Sequence, residues 1–151
     1  MNWIFYCVGD AFDYLAIGET LILTYTVTAT DTEFANDTET VTITVTGTND
    51  QPEITIEAGD SAAETLTETN TELTTSGTLS IADVDRADVV TPKVDQVSVS
   101  GSGATSVPGS LSNADLEAML SVSGAISDSA VDGTINWSFD SDGEAFDFLG
   151  A

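Results

Sequence analysis

The sequence predicts an all-β fold, a β-sandwich of short antiparallel strands that carries one short helix. Three observations support this. Apolar residues and threonines alternate with period two over residues 20–30 and 38–46, the signature of a half-buried strand. The strand-like runs are punctuated by Gly, Pro, Asn and Asp turn residues, as in a sandwich. Strand-length and helix-length patterns do not alternate along the chain, so a parallel nucleotide-binding sheet is not expected.

Each element follows from local chemistry. In the first run Leu21, Leu23, Tyr25, Val27 and Ala29 share one face, and Thr24, Thr26, Thr28 and Thr30 share the other. In the second, Val41, Ile43 and Val45 oppose Thr40, Thr42, Thr44 and Thr46. The polar segment 31–37 between them predicts a hairpin. Gly47-Thr48-Asn49-Asp50-Gln51-Pro52 marks a module boundary, because glycine and Asn-Asp favour turns and proline cannot donate to a ladder. A third strand is expected at 53–58 with Ile54 and Ile56 inward. Residues 60–76 are acidic and threonine-rich without a clear period. Short strands are expected around Leu79 and Ile81, and around Val97 and Val99. Ser112 and Asp115 form a capping box, and Leu116, Met119 and Leu120 follow at helical spacing, so a short helix is expected over 113–120. Residues 121–133 read as a loop with a possible short strand. A final strand over 134–140 turns Ile135, Trp137 and Phe139 to one face.

The chain also repeats itself. Residues 2–16 and 136–150 agree at Asn2/Asn136, Trp3/Trp137, Phe5/Phe139, Gly9/Gly143, Ala11/Ala145, Phe12/Phe146, Asp13/Asp147 and Leu15/Leu149. Self-similarity at a fixed offset marks a repeat architecture. Residues 1–50 therefore read as the C-terminal half of one repeat. Residues 51–151 read as the following repeat, truncated within its closing portion, so that the whole is about one permuted repeat plus an overlap. With the same segment at both ends, strand exchange between copies is physically open.

Composition excludes several function classes. The formal charge is −24, with 26 acidic residues against Arg86 and Lys93. Such a field repels nucleic acid and anionic membranes, and it opposes compaction unless the charge is spread out or binds cations. There is no histidine, which removes imidazole acid–base catalysis, His-ligated zinc and an ordinary catalytic triad. No carboxylate pair is marked out by apolar surroundings, so the chain is not expected to be an enzyme. Cys7 stands alone, cannot form an internal disulfide, and is expected to be a small buried hydrophobe. Trp3, Trp137, Phe12 and Phe146 are expected in the core. The apolar stretch 4–8 is too short to span a bilayer. The N-terminus lacks a basic, cleavable leader, so an export signal would lie outside this chain.

The run Phe12-Asp13-Tyr14-Leu15, Gly18-Glu19-Thr20-Leu21, Leu23-Thr24-Tyr25-Thr26-Val27 and Asp31, followed by Val41-Thr42-Ile43-Thr44-Val45-Thr46-Gly47-Thr48-Asn49-Asp50-Gln51-Pro52, resembles the VCBS repeat. That family occurs in very large, tandemly repeated bacterial surface and secreted proteins, including RTX-type adhesins. The resemblance is close over residues 11–52, looser through Gly77–Asp85, resumes at 136–149 and is weak over 94–133. It implies a cadherin-like, Ig-like β-sandwich with a spacer or adhesive role at the cell surface or outside the cell. The implied partners are neighbouring repeats of the same chain or other copies, and a surface glycan or protein. A carbohydrate- or surface-ligand-binding module is the alternative function.

The resemblance also implies Ca²⁺ at module junctions. The positions that match are Asp13, Asp31, Asn49, Asp50, Asp83 and Asp85. Calcium takes six to eight oxygens from carboxylates, carbonyls and water. Asp83 and Asp85 project to the same side of an extended segment, and Asp88 joins them if the chain turns at 86–87. Asn49 and Asp50 lie at the boundary between modules. The competing reading is a solvated acidic turn, where Asp and Asn are favoured for backbone reasons alone. Asp140-Ser141-Asp142-Gly143-Glu144 also looks like a calcium loop. Its aligned positions in the first copy include Tyr6, Cys7 and Val8, so the solvated-turn reading is preferred there, whereas Asp13 and Asp147 persist in both copies.

Overall fold

A computed structural model describes residues 4–7, 9, 11–127 and 130–149. The fold is all-β and sandwich-like, with two antiparallel sheets and one short α-helix. The first sheet is a two-stranded hairpin, β1 (Thr20–Thr30) with β2 (Asn36–Thr46). The second has four strands, β3 (Glu53–Thr55), β4 (Thr74–Ala82), β5 (Leu120–Ser123) and β6 (Asp132–Asp140), in the spatial order β3-β4-β6-β5. The helix α1 spans Asn113–Ala118.

The hairpin follows its sequence pattern closely. Leu21 faces Val45, Leu23 faces Ile43 and Tyr25 faces Val41. Directly opposed residues share a face, so the apolar set forms one continuous surface and the threonines form the other. The turn is closed by Asp31, whose Oδ1 accepts the backbone N–H groups of Glu33 and Ala35, both at 2.9 Å.

The core lies in the four-stranded sheet. Ile81, Ile126 and Ile135 are buried together, and Leu79, Val90, Val122 and Ala130 pack on them. Ile126 is held against the sheet by a two-residue bridge to Val90, with both backbone hydrogen bonds at 3.1 Å. Trp137 crosses the small Gly77 beside it. A Cβ at Gly77 would meet the indole ring at 2.5 Å, and the indole Nε1 donates to Ser61 O at 2.7 Å. The capping box of α1 is complete: Ser112 Oγ accepts from Asp115 N at 3.3 Å, and Asp115 Oδ2 accepts from Ser112 N at 2.8 Å.

Several expectations need correction. No strand forms around Val97 and Val99; residues 91–100 have no ladder partner, and alternation without a partner does not make a strand. β3 has three residues rather than six, and Ile54 and Ile56 are exposed because this edge strand lacks a covering layer. Conversely, β4 starts at Thr74, inside the segment that showed no period. Cys7 is exposed, since Ile4–Cys7 carry no strand and Ile4 is 90% accessible. Trp137, Phe12 and Phe146 are half-buried rather than core. Trp3 lies outside the described residues.

Candidate metal centre at the hairpin–sheet junction

The chain leaves the hairpin through Gly47 and enters the four-stranded sheet at Glu53, and the loop after β4 returns to the same place. Two backbone contacts fix this junction. Gly47 N donates to Glu19 O at 2.9 Å, and Gly47 lies so close to the carbonyl oxygens of Leu15 and Ala16 that a Cβ would overlap them. Arg86 N donates to Tyr14 O at 3.4 Å. Leu15 and Ala16 are buried there, so the repeated segment that precedes β1 is clamped against the loop that follows β4.

That loop carries the acidic residues. Asp83 is 3% exposed and Asp85 is 0% exposed. Asp85 N donates to Asp83 Oδ1 at 3.0 Å, Asp88 N donates to Asp85 O at 3.1 Å, and Asp50 N reaches across to Asp85 Oδ2 at 2.7 Å. The other carboxylate oxygen, Asp85 Oδ1, is buried without a hydrogen-bond partner among the described residues. Asp88 is half-buried, and its carboxyl is pushed above the ordinary range first by desolvation, then by the charges of Asp85, Asp83 and Glu19. Four acidic side chains from two parts of the chain thus share one electrostatic field. Glu19 itself is held in place by Ala16 N, which donates to its Oε2 at 3.0 Å.

Burial of a carboxylate is costly unless the charge is paired or fully hydrogen-bonded. The chain has two cationic side chains. Among the described residues the one ion pair is Lys93 Nζ with Asp95 Oδ1 at 2.7 Å, well exposed on both sides, and Arg86 is exposed. A bound cation would offset this buried charge. Asp85 supplies an unsatisfied oxygen, its backbone N–H donates to Asp83, and the charges of Asp85, Asp83 and Glu19 all act on Asp88. As they stand, no three ligating side chains among the described residues close around one point.

The positions expected from sequence separate as follows. Asp50, Asp83, Asp85 and Asp88 meet at the junction. Asn49 is adjacent and exposed, its Nδ2 donating to Asp50 O at 2.6 Å. Asp13 is exposed in the turn leading to Leu15. Asp31 lies at the opposite end of the hairpin, about 40 Å along β1 from Glu19 at ~3.3 Å per residue, where its carboxylate closes the turn. Glu19 escaped sequence reasoning, although its place in Gly18-Glu19-Thr20, immediately before β1, was a usable signal.

No protein-family model, curated protein or solved structure matches this chain. The site therefore rests on its own geometry. A second acidic group lies at the far end of the sheet. Asp140 raises Glu72, chiefly through its charge, and Glu68 raises Asp147, chiefly through a shared hydrogen bond. Asp140 Oδ1 also accepts Asp142 N at 2.9 Å, the local turn bond expected of a solvated acidic loop.

Proposed function

We propose that this chain is a non-catalytic, calcium-stabilised repeat module of a secreted or cell-surface protein, acting as a spacer or adhesive element of the VCBS type. The observation that carries this reading is the fully buried Asp85, which has one orphaned oxygen, acidic neighbours and no cationic side chain to balance it. Glu19, Asp83, Asp85 and Asp88 would hold the ion. Calcium suits an all-oxygen, carboxylate-rich set that also offers backbone carbonyls and water. Its charge would convert repulsion between the hairpin side and the sheet side of the junction into a bridge, and so would stiffen the chain between modules. The second, adhesive role rests on the family resemblance.

Calorimetric titration of the chelator-treated protein with CaCl₂ tests the site. The wild type is expected to show saturable uptake that is lost in Asp85→Asn and in Asp83→Asn. Absence of saturable heat in the wild type, or uptake unchanged in both variants, would overturn the assignment.

A further inference from the structure

The hairpin presents an apolar face that no other strand or helix among the described residues covers. β1 and β2 contact each other and no other named element. Leu21, Leu23, Val41, Ile43 and Val45 are only half-buried, and Tyr25 is 46% exposed. The four-stranded sheet shows the complementary feature. Thr75, Leu79, Leu120, Val122, Trp137 and Phe139 floor an apolar groove of about 470 Å³, and Leu66, itself 40% exposed, stands on its rim.

The internal repeat relates the two surfaces. The segment that leads into the hairpin, with Ala11, Phe12, Asp13 and Leu15, recurs directly after β6 as Ala145, Phe146, Asp147 and Leu149. Asn2-Trp3 and Phe5 likewise align with Asn136, Trp137 and Phe139 of β6. A hairpin of this sequence therefore belongs beside a sheet that contains a β6-type strand. Its own upstream counterpart forms no strand over Ile4–Cys7, whereas β6 of another copy is fully formed.

We propose that the β1–β2 hairpin of one copy of this chain packs its Leu21–Tyr25/Val41–Val45 face into the β4–β6–β5 groove of a second copy, and that the exchange is reciprocal. At ~3.4 Å per residue the 11-residue strands extend about 34 Å and overhang the groove, because Ile126 and Val90 already cover β4 and β6 at Ile81 and Ile135. The contact is therefore smaller than the ~800 Å² per partner of a stable interface, and reciprocal exchange, which makes it twice, favours a weak closed dimer over an open chain. The matching surfaces carry little charge until Glu39 and Asp37 near the hairpin tip and Glu64 at the groove rim. The remaining negative charge opposes association, so the dimer strengthens with ionic strength. The proposal does not depend on calcium.

The test is sedimentation velocity on the whole chain in chelator at high ionic strength, over a concentration series to sub-millimolar protein. Wild type is expected to pass from monomer to dimer. Tyr25→Asp on the hairpin face and Leu66→Asp on the groove rim are each expected to hold it as monomer. Thr24→Asp adds the same charge to the opposite hairpin face and leaves the dimer intact. Leu66 lies in a loop outside every strand, so its variant keeps the test valid even if Tyr25→Asp disturbs the hairpin; circular dichroism verifies retained β structure. A wild type that stays monomeric throughout would overturn the proposal, as would a dimer that survives Leu66→Asp or is lost equally in Thr24→Asp.

Discussion

Asp60 shows how much one side chain can organise. Its Oδ1 accepts Thr78 Oγ1 at 2.7 Å, and its Oδ2 accepts Ser80 Oγ at 2.8 Å and Glu57 N at 2.9 Å. These bonds tie the loop after β3 to β4 and lower the carboxyl below its ordinary range, the Glu57 backbone N–H contributing most, then Thr78 and Ser80. A carboxyl lowered in the folded state adds stability above its unfolded value of ~3.9 and loses it as pH falls through the folded value. Asp60→Asn is therefore expected to melt at a lower temperature than wild type at pH 7. The gap should narrow as pH falls below ~3.9 and close only once the pH lies below the folded-state value as well. Nothing in the sequence singled out Asp60, because its partners are hydroxyls on a strand that itself was hard to read. The junction aspartates were easier to find. Asp83 and Asp85 stand one residue apart at the end of an apolar run, a spacing that puts both on one side of the chain. Their burial was not foreseeable, because the groups that meet this loop, Tyr14, Asp50 and Val131, lie far from it in the sequence.

At the scale of elements, period-two patterning worked where threonine and β-branched residues alternate without interruption. β1 was expected at 20–30 and spans Thr20–Thr30. β4 was partly missed because its inward positions begin with Thr75 and Gly77 rather than with large apolar residues. Gly77 is small because Trp137 from β6 fills its place, a cross-strand exchange of volume that a single strand's sequence does not display. The segment around Val97 failed in the opposite way, with the pattern present but no partner strand. Gly77→Ala is expected to force the indole aside and break its bond to Ser61 O, at a cost of about 1–3 kcal/mol from overpacking. Urea denaturation should show a lower midpoint with an unchanged slope.

At the scale of the whole molecule, a net charge of −24 on 151 residues makes self-repulsion a major opponent of folding. Raising NaCl from low ionic strength towards ~1 M shortens the screening length from tens of ångströms to ~3 Å. The melting temperature of the chelated protein is expected to rise over that range and then level off. Any divalent cation will also screen, so a general stabilisation by calcium does not by itself identify a site. We propose specifically that Asp85, buried with an unpartnered oxygen in the loop that carries Asp83 and Asp88, receives an ion at the junction between hairpin and sheet. The most direct measurement is thermal melting of wild type and Asp85→Asn at matched ionic strength, with calcium, with magnesium and with chelator. Wild type is expected to gain more from calcium than from magnesium, and Asp85→Asn to lose this excess while keeping the screening response. Equal shifts with calcium and magnesium in the wild type, or a calcium excess preserved in Asp85→Asn, would contradict it.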